Sequence, residues 1–154
     1  MFESIVNFIT FRSLREKHLK KKLLDCLESE TAEGFLTLLL SFMNLVLLLN
    51  KSYRLNTEGF QGKYLFKSKD NSIVVSAQFK NGKMTVTRKA IDDSNVTVLF
   101  KDSKALMNFL LSPKPDILNS MLKQDITLEG NLNYLYKFAF MATHLRIMAT
   151  NAVT

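Results

Sequence analysis

Hydrophobic positions change their spacing along this chain near residue 60. Up to about residue 57 apolar residues recur at helical spacing, as in Phe2, Ile5 and Ile9. From about residue 61 to 101 they alternate with polar residues, which is typical of strands with one buried face. The remainder mixes both periods. We therefore predict a helical N-terminal extension, residues 1–57, that packs on or lids one compact α+β unit, residues 58–154.

Three helices are predicted in the N-terminal extension. The first covers Phe2 to Phe11, and the second covers Ser13 to Ser29. The third begins at Thr31, a typical N-cap residue, and ends near Asn50. Its most apolar part is about 15 residues long, which is shorter than the roughly 20 residues that span a bilayer. We therefore interpret the third helix as a core helix. A narrow polar stripe interrupts that part at Thr37, Ser41 and Asn44.

Short strands separated by turn residues follow the N-terminal extension. Asn81-Gly82 is the strongest hairpin signal, because both residues tolerate positive φ. Four consecutive strands joined by tight turns predict an antiparallel meander, and a fifth strand is predicted at Ile126 to Leu128. The four strands of the meander are Gly62 to Ser68, Ser72 to Lys80, Lys83 to Ala90 and Asn95 to Lys101.

Helical patterns return after the predicted meander. Asp102 or Ser103 can cap a helix that runs through Leu110. Pro115 suits the first turn of a short helix that runs through Met121. Asn131 can cap a last helix that ends near Met148. These helices are available to cover the apolar face of the sheet, which predicts an α+β sandwich.

The apolar arc of the last helix is wider than contact with one sheet requires. One apolar strip consists of Tyr134, Phe138, Met141, Leu145 and Met148. A second strip consists of Leu132, Leu135, Tyr136, Ala139 and Ala142. Another helix, a partner subunit or a ligand can cover the excess, and the pattern alone leaves these three alternatives open.

Three segments resemble the sterol carrier protein 2 family over roughly residues 62–145. Asn95 to Asp102 (NVTVLFKD) is similar to the family's strand that runs into a helix. Ser103 to Leu110 is similar to that helix, which a short proline-led segment follows. Ile126 to Asn131 (ITLEGN) is similar to the closing strand, glycine and polar cap that open the final helix. The chain departs from the family at 123–125, where Lys-Gln-Asp stands near the position of a usual Gly-Lys pair.

The resemblance implies a twisted, mostly antiparallel five-stranded sheet that helices cover on one face. It also implies an apolar tunnel between the sheet and the helices, with the last helix as a wall and the strands as a floor. Sterols, fatty acids or acyl chains are the ligands that such a tunnel holds. The expected lipid-binding residues are Leu40, Met43, Leu47, Val75, Ala77, Val86, Val98, Phe100, Phe109, Met121, Tyr134, Phe138, Met141 and Leu145.

A basic segment directly follows the first apolar helical stretch, and the chain as a whole carries a net charge of +7. An apolar helix beside cationic residues is one way to bind an anionic bilayer, where each cation adds about 1 kcal/mol. Alternatively, the basic side is solvated and the apolar residues pack on the domain. The candidate membrane-docking residues are Phe2, Ile5, Ile9, Arg12, Arg15, Lys20, Lys21 and Lys22.

Composition and motifs favour binding over catalysis. The chain has 12 Phe, 7 Met and no Trp, a soft apolar fill that suits irregular cores and ligand pockets alike. Cys26 is the only cysteine, which weakly favours a reducing compartment. No nucleophile elbow, phosphate-binding loop, dinucleotide glycine pattern or paired-cysteine motif occurs, so we expect no enzyme activity, no cofactor and no metal. No nucleic-acid-binding motif accompanies the positive charge, so we expect no nucleic acid partner.

Two hypotheses remain at this point. The first is a carrier that holds an apolar lipid-like ligand in a buried pocket, in the cytoplasm or at the surface of a membrane. The second is a non-enzymatic interaction module, in which the same wide apolar faces form a homodimer or a partner interface.

Overall fold

The computed structural model describes residues 31–111 and 116–153, with side chains for 31–110 and 116–145. Three helical elements come first: the long helix α1 (Ala32–Leu49), the short helix α2 (Lys51–Arg54) and a 3-10 turn (Leu55–Thr57). The remaining elements are β1 (Gly62–Ser68), β2 (Val74–Lys80), β3 (Lys83–Thr87), β4 (Val96–Phe100), α3 (Ser103–Leu111), α4 (Ile117–Leu122), β5 (Ile126–Gly130) and α5 (Leu132–Val153).

The five strands form one mixed sheet in the order β3-β2-β1-β4-β5. Neighbouring strands are antiparallel except β1 and β4, which run parallel with Phe66 beside Val98. The predicted α+β class with a mostly antiparallel five-stranded sheet is confirmed. The predicted four-strand meander is wrong in one connection, because β4 crosses to β1 instead of pairing with β3. Residues 88–95 provide the length for this crossing, which a tight turn does not have.

Local capping signals explain where several helices begin. The Asp102 carboxylate accepts a hydrogen bond from the backbone N–H of Ala105 at the start of α3. Asp116 does the same for Asn119 in α4, at 2.9 Å. The Asn131 side chain accepts from the N–H of Asn133 at the start of α5. Thr31 occupies the N-cap position of α1, but its side chain makes no capping hydrogen bond there.

The apolar face of the sheet and the inner faces of α1, α3 and α5 form one continuous core. Alternation along the strands puts Tyr64, Phe66, Val75 and Ala77 on this face, as the pattern predicts, and all four are buried. The opposite face of β1 carries the partly buried Lys63 and Lys67 and the buried Leu65. The described helices α1, α3 and α5 pack on the first of these two faces.

The side chains in the polar stripe of α1 make two kinds of hydrogen bond, within the helix and to the sheet. The hydroxyls of Thr37 and Ser41 donate to carbonyl oxygens of their own helix, at Glu33 and Thr37. Asn44 instead reaches the sheet, where its Oδ1 accepts from the N–H of Met84 at 3.1 Å. The stripe is therefore compatible with a helix that packs on the sheet.

By length and apolarity alone, α1 is a helix that can cross a membrane. Most of its residues are nevertheless buried inside the protein, and Leu36, Leu40 and Met43 belong to the core with the sheet. A core helix passes the same test of length and apolarity, and the packing on β2 and β3 favours that interpretation.

Candidate functional site

The residues expected to line a lipid pocket lie together in the core between the sheet and the helices. Three of them, Val86, Met121 and Tyr134, are partly buried and pack against the others. The buried ones are Leu40, Met43, Leu47, Val75, Ala77, Val98, Phe100, Phe109, Phe138, Met141 and Leu145. Their role as ligand contacts stays a prediction, because side chains at these positions form a core whether or not a ligand enters.

An aromatic layer lies between α5 and the centre of the sheet. The ring of Phe138 on α5 lies 5.2 Å from that of Phe66 and 5.8 Å from that of Tyr64, between centroids. Tyr64 also lies edge-on to Phe79 at 5.6 Å. Rings at these separations are in favourable contact, and their flat faces also suit acyl chains and fused apolar rings.

Two buried tyrosines attach α5 to the rest of the molecule. The hydroxyl of Tyr53 donates to the carbonyl oxygen of Met141 at 3.0 Å, and that of Tyr64 donates to the carbonyl oxygen of Tyr134 at 2.7 Å. Burial raises the pKa of both phenols well above the ordinary value, and for Tyr64 the nearby Tyr134 adds to the shift. Both therefore remain neutral donors, and their hydroxyls are engaged with backbone instead of being aimed at a ligand.

A surface pocket of about 380 Å³ opens beside this layer, between the segment that follows α1 and the β2–β3 hairpin. Phe60 lines the pocket and also contacts the aromatic layer, with ring centroids 5.8 Å from Phe79 and 5.6 Å from Tyr134. Its ring therefore separates the pocket from the core. The full lining is Lys51, Arg54, Leu55, Thr57, Glu58, Gly59, Phe60, Gln61, Asn81 and Gly82.

Sequence reasoning missed this surface pocket. Residues 55–61 follow neither a helical nor a strand period, and they meet the hairpin only through the fold. One local signal is Gly62, because a Cβ there would lie 2.8 Å from Phe60 and 3.1 Å from Tyr134. Gly62 therefore leaves room for the rings of Phe60 and Tyr134, which both lie against the start of β1.

The described residues contain no group of three or more His, Cys, Asp or Glu side chains placed to hold a metal ion. His144 lies against the ring of Tyr53, with centroids 5.4 Å apart, and its Nδ1 is 2.7 Å from the amide nitrogen of Asn56. An amide nitrogen is a donor, so Nδ1 is the acceptor in this contact. His144 is thus held by a structural contact at the edge of the core.

The candidate membrane-docking residues lie outside the part of the chain that the structure describes, and so does Cys26. Their role stays a prediction from the sequence. The residues concerned are Phe2, Ile5, Ile9, Arg12, Arg15, Lys20, Lys21 and Lys22.

No family model and no curated protein sequence matches this chain. Solved structures do match. A UbiJ-SCP2 ubiquinone synthesis protein is 15% identical with a TM-score of 0.57, over 70% of this chain and 87% of that one. The sterol carrier protein domain 2 of Helicoverpa armigera is 17% identical with a TM-score of 0.50, over 79% of this chain and 91% of that one.

A third match is to an enzyme. The inverting sec-alkylsulfatase Pisa1 from a Pseudomonas species is 17% identical over 57% of this chain with a TM-score of 0.50. The chain covers only 14% of that enzyme's length. At these identities the matches concern the fold. The chain has the fold of the sterol carrier protein 2 domain, which confirms the resemblance that the sequence carries between residues 62 and 145.

Proposed function

We propose that this protein binds an apolar, lipid-like ligand between the sheet and the helices α1 and α5, and carries it. The single observation behind this proposal is the apolar aromatic layer on one face of a sterol-carrier-type sheet, with Phe66 and Phe138 at its centre. Two of the structural neighbours are named sterol carrier or SCP2 domains, which supports a ligand such as a fatty acid, an acyl chain or a sterol-like molecule.

Binding in such a site is driven by burial. The buried polar residues of the described part are uncharged, namely Thr57, Ser68, Ser76 and Thr97. A ligand therefore gains from leaving water, at about 0.8 kcal/mol for each CH₂ buried. After the costs of ordering, a long acyl chain reaches micromolar affinity or better. We expect selectivity for length and shape of the apolar part, because the residues that the structure describes bury no charge that could select a headgroup.

The function as proposed has no catalytic step. It takes place in the cytoplasm, with loading and unloading at a membrane surface. Transfer of lipid between two membranes requires the protein to bind ligand, leave the donor surface and release ligand at the acceptor. These steps need no group that makes or breaks covalent bonds.

The first experiment is native mass spectrometry of the purified full chain, followed by organic extraction and identification of bound lipid. We expect a stoichiometric apolar ligand, or uptake of a fluorescent fatty acid when the protein is purified empty. Ala77→Leu adds bulk to the floor and is expected to lower uptake, while Leu122→Ser on the exposed end of α4 leaves it unchanged. Circular dichroism shows whether the Ala77 variant is folded.

An interaction module is the second candidate function, and one feature of α5 favours it. Tyr136 and Phe140 are 44% and 57% exposed on the outer side of this helix, although it packs on the sheet. Exposed aromatic residues are enriched at protein interfaces. A protein without ligand, without fatty acid uptake and with a dimeric mass in solution would favour this function over the carrier.

A further inference from the structure

Three exposed leucines lie at the end of the molecule where α1 stops. Leu48 is 48% exposed, Leu49 is 61% exposed and Leu55, in the 3-10 turn, is 58% exposed. Single exposed leucines are ordinary on protein surfaces. These three belong to one region, because Leu55 lines the surface pocket and Arg54, which also lines it, donates from Nη1 to the carbonyl oxygen of Leu48 at 3.4 Å.

Cationic residues lie in the lining of the same pocket and next to that lining in the chain. Lys51 and Arg54 line it, and Lys80 and Lys83 pair across the hairpin whose tip lines it. The stem of Arg54 lies against that tip, with its Cδ 3.5 Å from the place of a Cβ on Gly82. Among the residues that the structure describes, none of these four cations is in an ion pair; the pair found there joins Arg88 and Glu33.

The charges at this end are therefore free to act on a partner. Glu58 is the one acidic side chain in the pocket lining, against four cations in and beside it. All four cations are exposed. Leucines that enter the boundary of a bilayer while lysines and arginines remain at the headgroups are the combination that binds anionic membranes. A protein partner with an acidic surface is the competing occupant, and the exposed leucines beside the cations favour the bilayer.

We propose that this end of the molecule, formed by the three leucines and the four cations and called here the pocket rim, docks on an anionic phospholipid bilayer. Docking in this way puts the mouth of the pocket, and Phe60 behind it, against the headgroups. The proposal does not depend on a bound ligand, and it is separate from the predicted docking role of residues 1–22. The pocket rim belongs to the folded domain itself.

Sedimentation of the full-length chain with vesicles tests the proposal. The vesicles contain phosphatidylcholine with about one third phosphatidylserine, or phosphatidylcholine alone. We expect binding to the anionic vesicles that weakens as salt is raised, because salt screens the contribution of the cations. The double variant Leu49→Asp with Lys51→Glu is expected to bind at least about tenfold more weakly, since reversing one cation and removing one apolar anchor each cost severalfold.

A matched control exists at the opposite edge of the sheet. Leu122 is 83% exposed at the end of α4, which packs beside the edge strand β5, and Lys123 follows it. Leu122→Asp with Lys123→Glu makes the same change of charge and apolarity away from the pocket rim. We expect this control to bind like the parent protein, and circular dichroism is expected to show both variants folded, because all four residues are exposed.

Three results would overturn the proposal that the pocket rim docks on a bilayer. The first is a parent protein that binds neither vesicle. The second is a rim variant that binds like the parent while Lys20, Lys21 and Lys22 changed to Glu abolish binding. The third is a parent dimer that the rim variant converts to monomer without any binding to vesicles. Uptake of fluorescent fatty acid in solution is measured on the same samples, so loss of docking is distinguished from loss of the lipid pocket.

Discussion

A single carboxylate organises the turn between β1 and β2. Oδ1 of Asp70 accepts hydrogen bonds from the hydroxyl of Ser68 at 2.6 Å, the hydroxyl of Ser72 at 2.8 Å and the N–H of Ser72 at 3.1 Å. These bonds favour the charged form and lower the pKa of Asp70 from 3.8 to about 2. The Ser68 hydroxyl in turn accepts from the N–H of Ile73, so the carboxylate supports the first residue beyond the turn.

The lowered pKa of Asp70 predicts an acid-sensitive contribution to stability. A group whose pKa is lower in the folded state stabilises it fully above the unfolded pKa, and this contribution is lost as the pH falls through the folded pKa. For Asp70 the loss lies between about pH 4 and pH 2. Asp70→Asn is expected to lower stability at pH 7 and to flatten the fall below pH 4, in urea unfolding at stepped pH. A variant with an unchanged acid slope would contradict this.

Gly130 joins β5 to α5 in a conformation that other residues rarely adopt. Its φ is 101°, and a Cβ there would clash with the carbonyl oxygen of Asn95 and lie 3.1 Å from the Cα of Val96. Asn95 also accepts from the N–H of Asn131, which fixes the start of α5. Gly130 belongs to the segment ITLEGN that resembles the family's closing strand. A glycine is required there because two backbone segments approach each other where the last helix begins.

Gly130→Ala is expected to lower the free energy of unfolding by about 3 kcal/mol, because strain at positive φ adds to the clash with backbone. Gly59→Ala is the matched control: its φ is 67°, and nothing lies within 4 Å of the added Cβ. It carries the strain alone, about 1 kcal/mol. Urea unfolding of both variants measures the difference. Equal losses would show that the close approach to Asn95 has no cost.

At the scale of elements, α1 is fastened to the sheet by polar side chains as well as by its apolar face. Oε2 of Glu33 accepts from the N–H of Val74 in β2 at 3.0 Å, and Asn44 accepts from the N–H of Met84 in β3. β3 is an edge strand, so its outward N–H groups have no neighbouring strand to bond. Asn44 thus satisfies one of them where α1 covers the sheet.

Asn44→Ala is expected to destabilise the protein by about 1–3 kcal/mol, because it leaves the N–H of Met84, a buried residue, without its acceptor. Ser41→Ala is the control from the same stripe. Its hydroxyl bonds only to the carbonyl of Thr37 within α1, so the loss is within about 0.5 kcal/mol. Amide hydrogen exchange at Met84 is expected to speed up in the Asn44 variant only. Unchanged exchange there would remove the argument for this bond.

Local chemistry explains which elements the sequence predicts and which it does not. The strand β1 and the hairpin at Asn81-Gly82 follow from period and turn residues, and they occur where the sequence predicts them. The partner of β4 depends on contacts with residues about 30 positions earlier in the chain, which no local pattern reports. Likewise, the stripe of α1 is visible in the sequence, but the bond from Asn44 to Met84 spans 40 residues.

At the scale of the whole molecule, one part of the candidate site was predictable from the sequence and another part was not. Positions such as Val98 and Phe138 were predictable as neighbours because strand and helix periods turn them toward one layer. Whether that layer is core or pocket depends on the fit of many side chains, which periodicity does not measure. The surface pocket at Phe60 could not be predicted from the sequence for another reason. Turn residues 55–61 and hairpin residues 81–82 come together only in the fold.

The carrier and the interaction module use the same apolar surfaces but differ in what stabilises the folded chain. A ligand that binds only the folded state adds about 2.7 kcal/mol when its free concentration is one hundred times its Kd. For a chain of 154 residues, this raises Tm by roughly 5–10 °C. In a homodimer, Tm rises instead with the concentration of the protein itself.

The carrier therefore predicts a Tm that depends on ligand and not on protein concentration. Thermal unfolding of delipidated protein is followed by circular dichroism, with a saturated fatty acid titrated below its critical micelle concentration and with protein varied over about two decades. We expect Tm to rise with the fatty acid and with its chain length, since each added CH₂ contributes about 0.8 kcal/mol of burial until the site is full. A Tm that ignores the fatty acid and climbs with protein concentration would instead assign the apolar faces to a subunit interface.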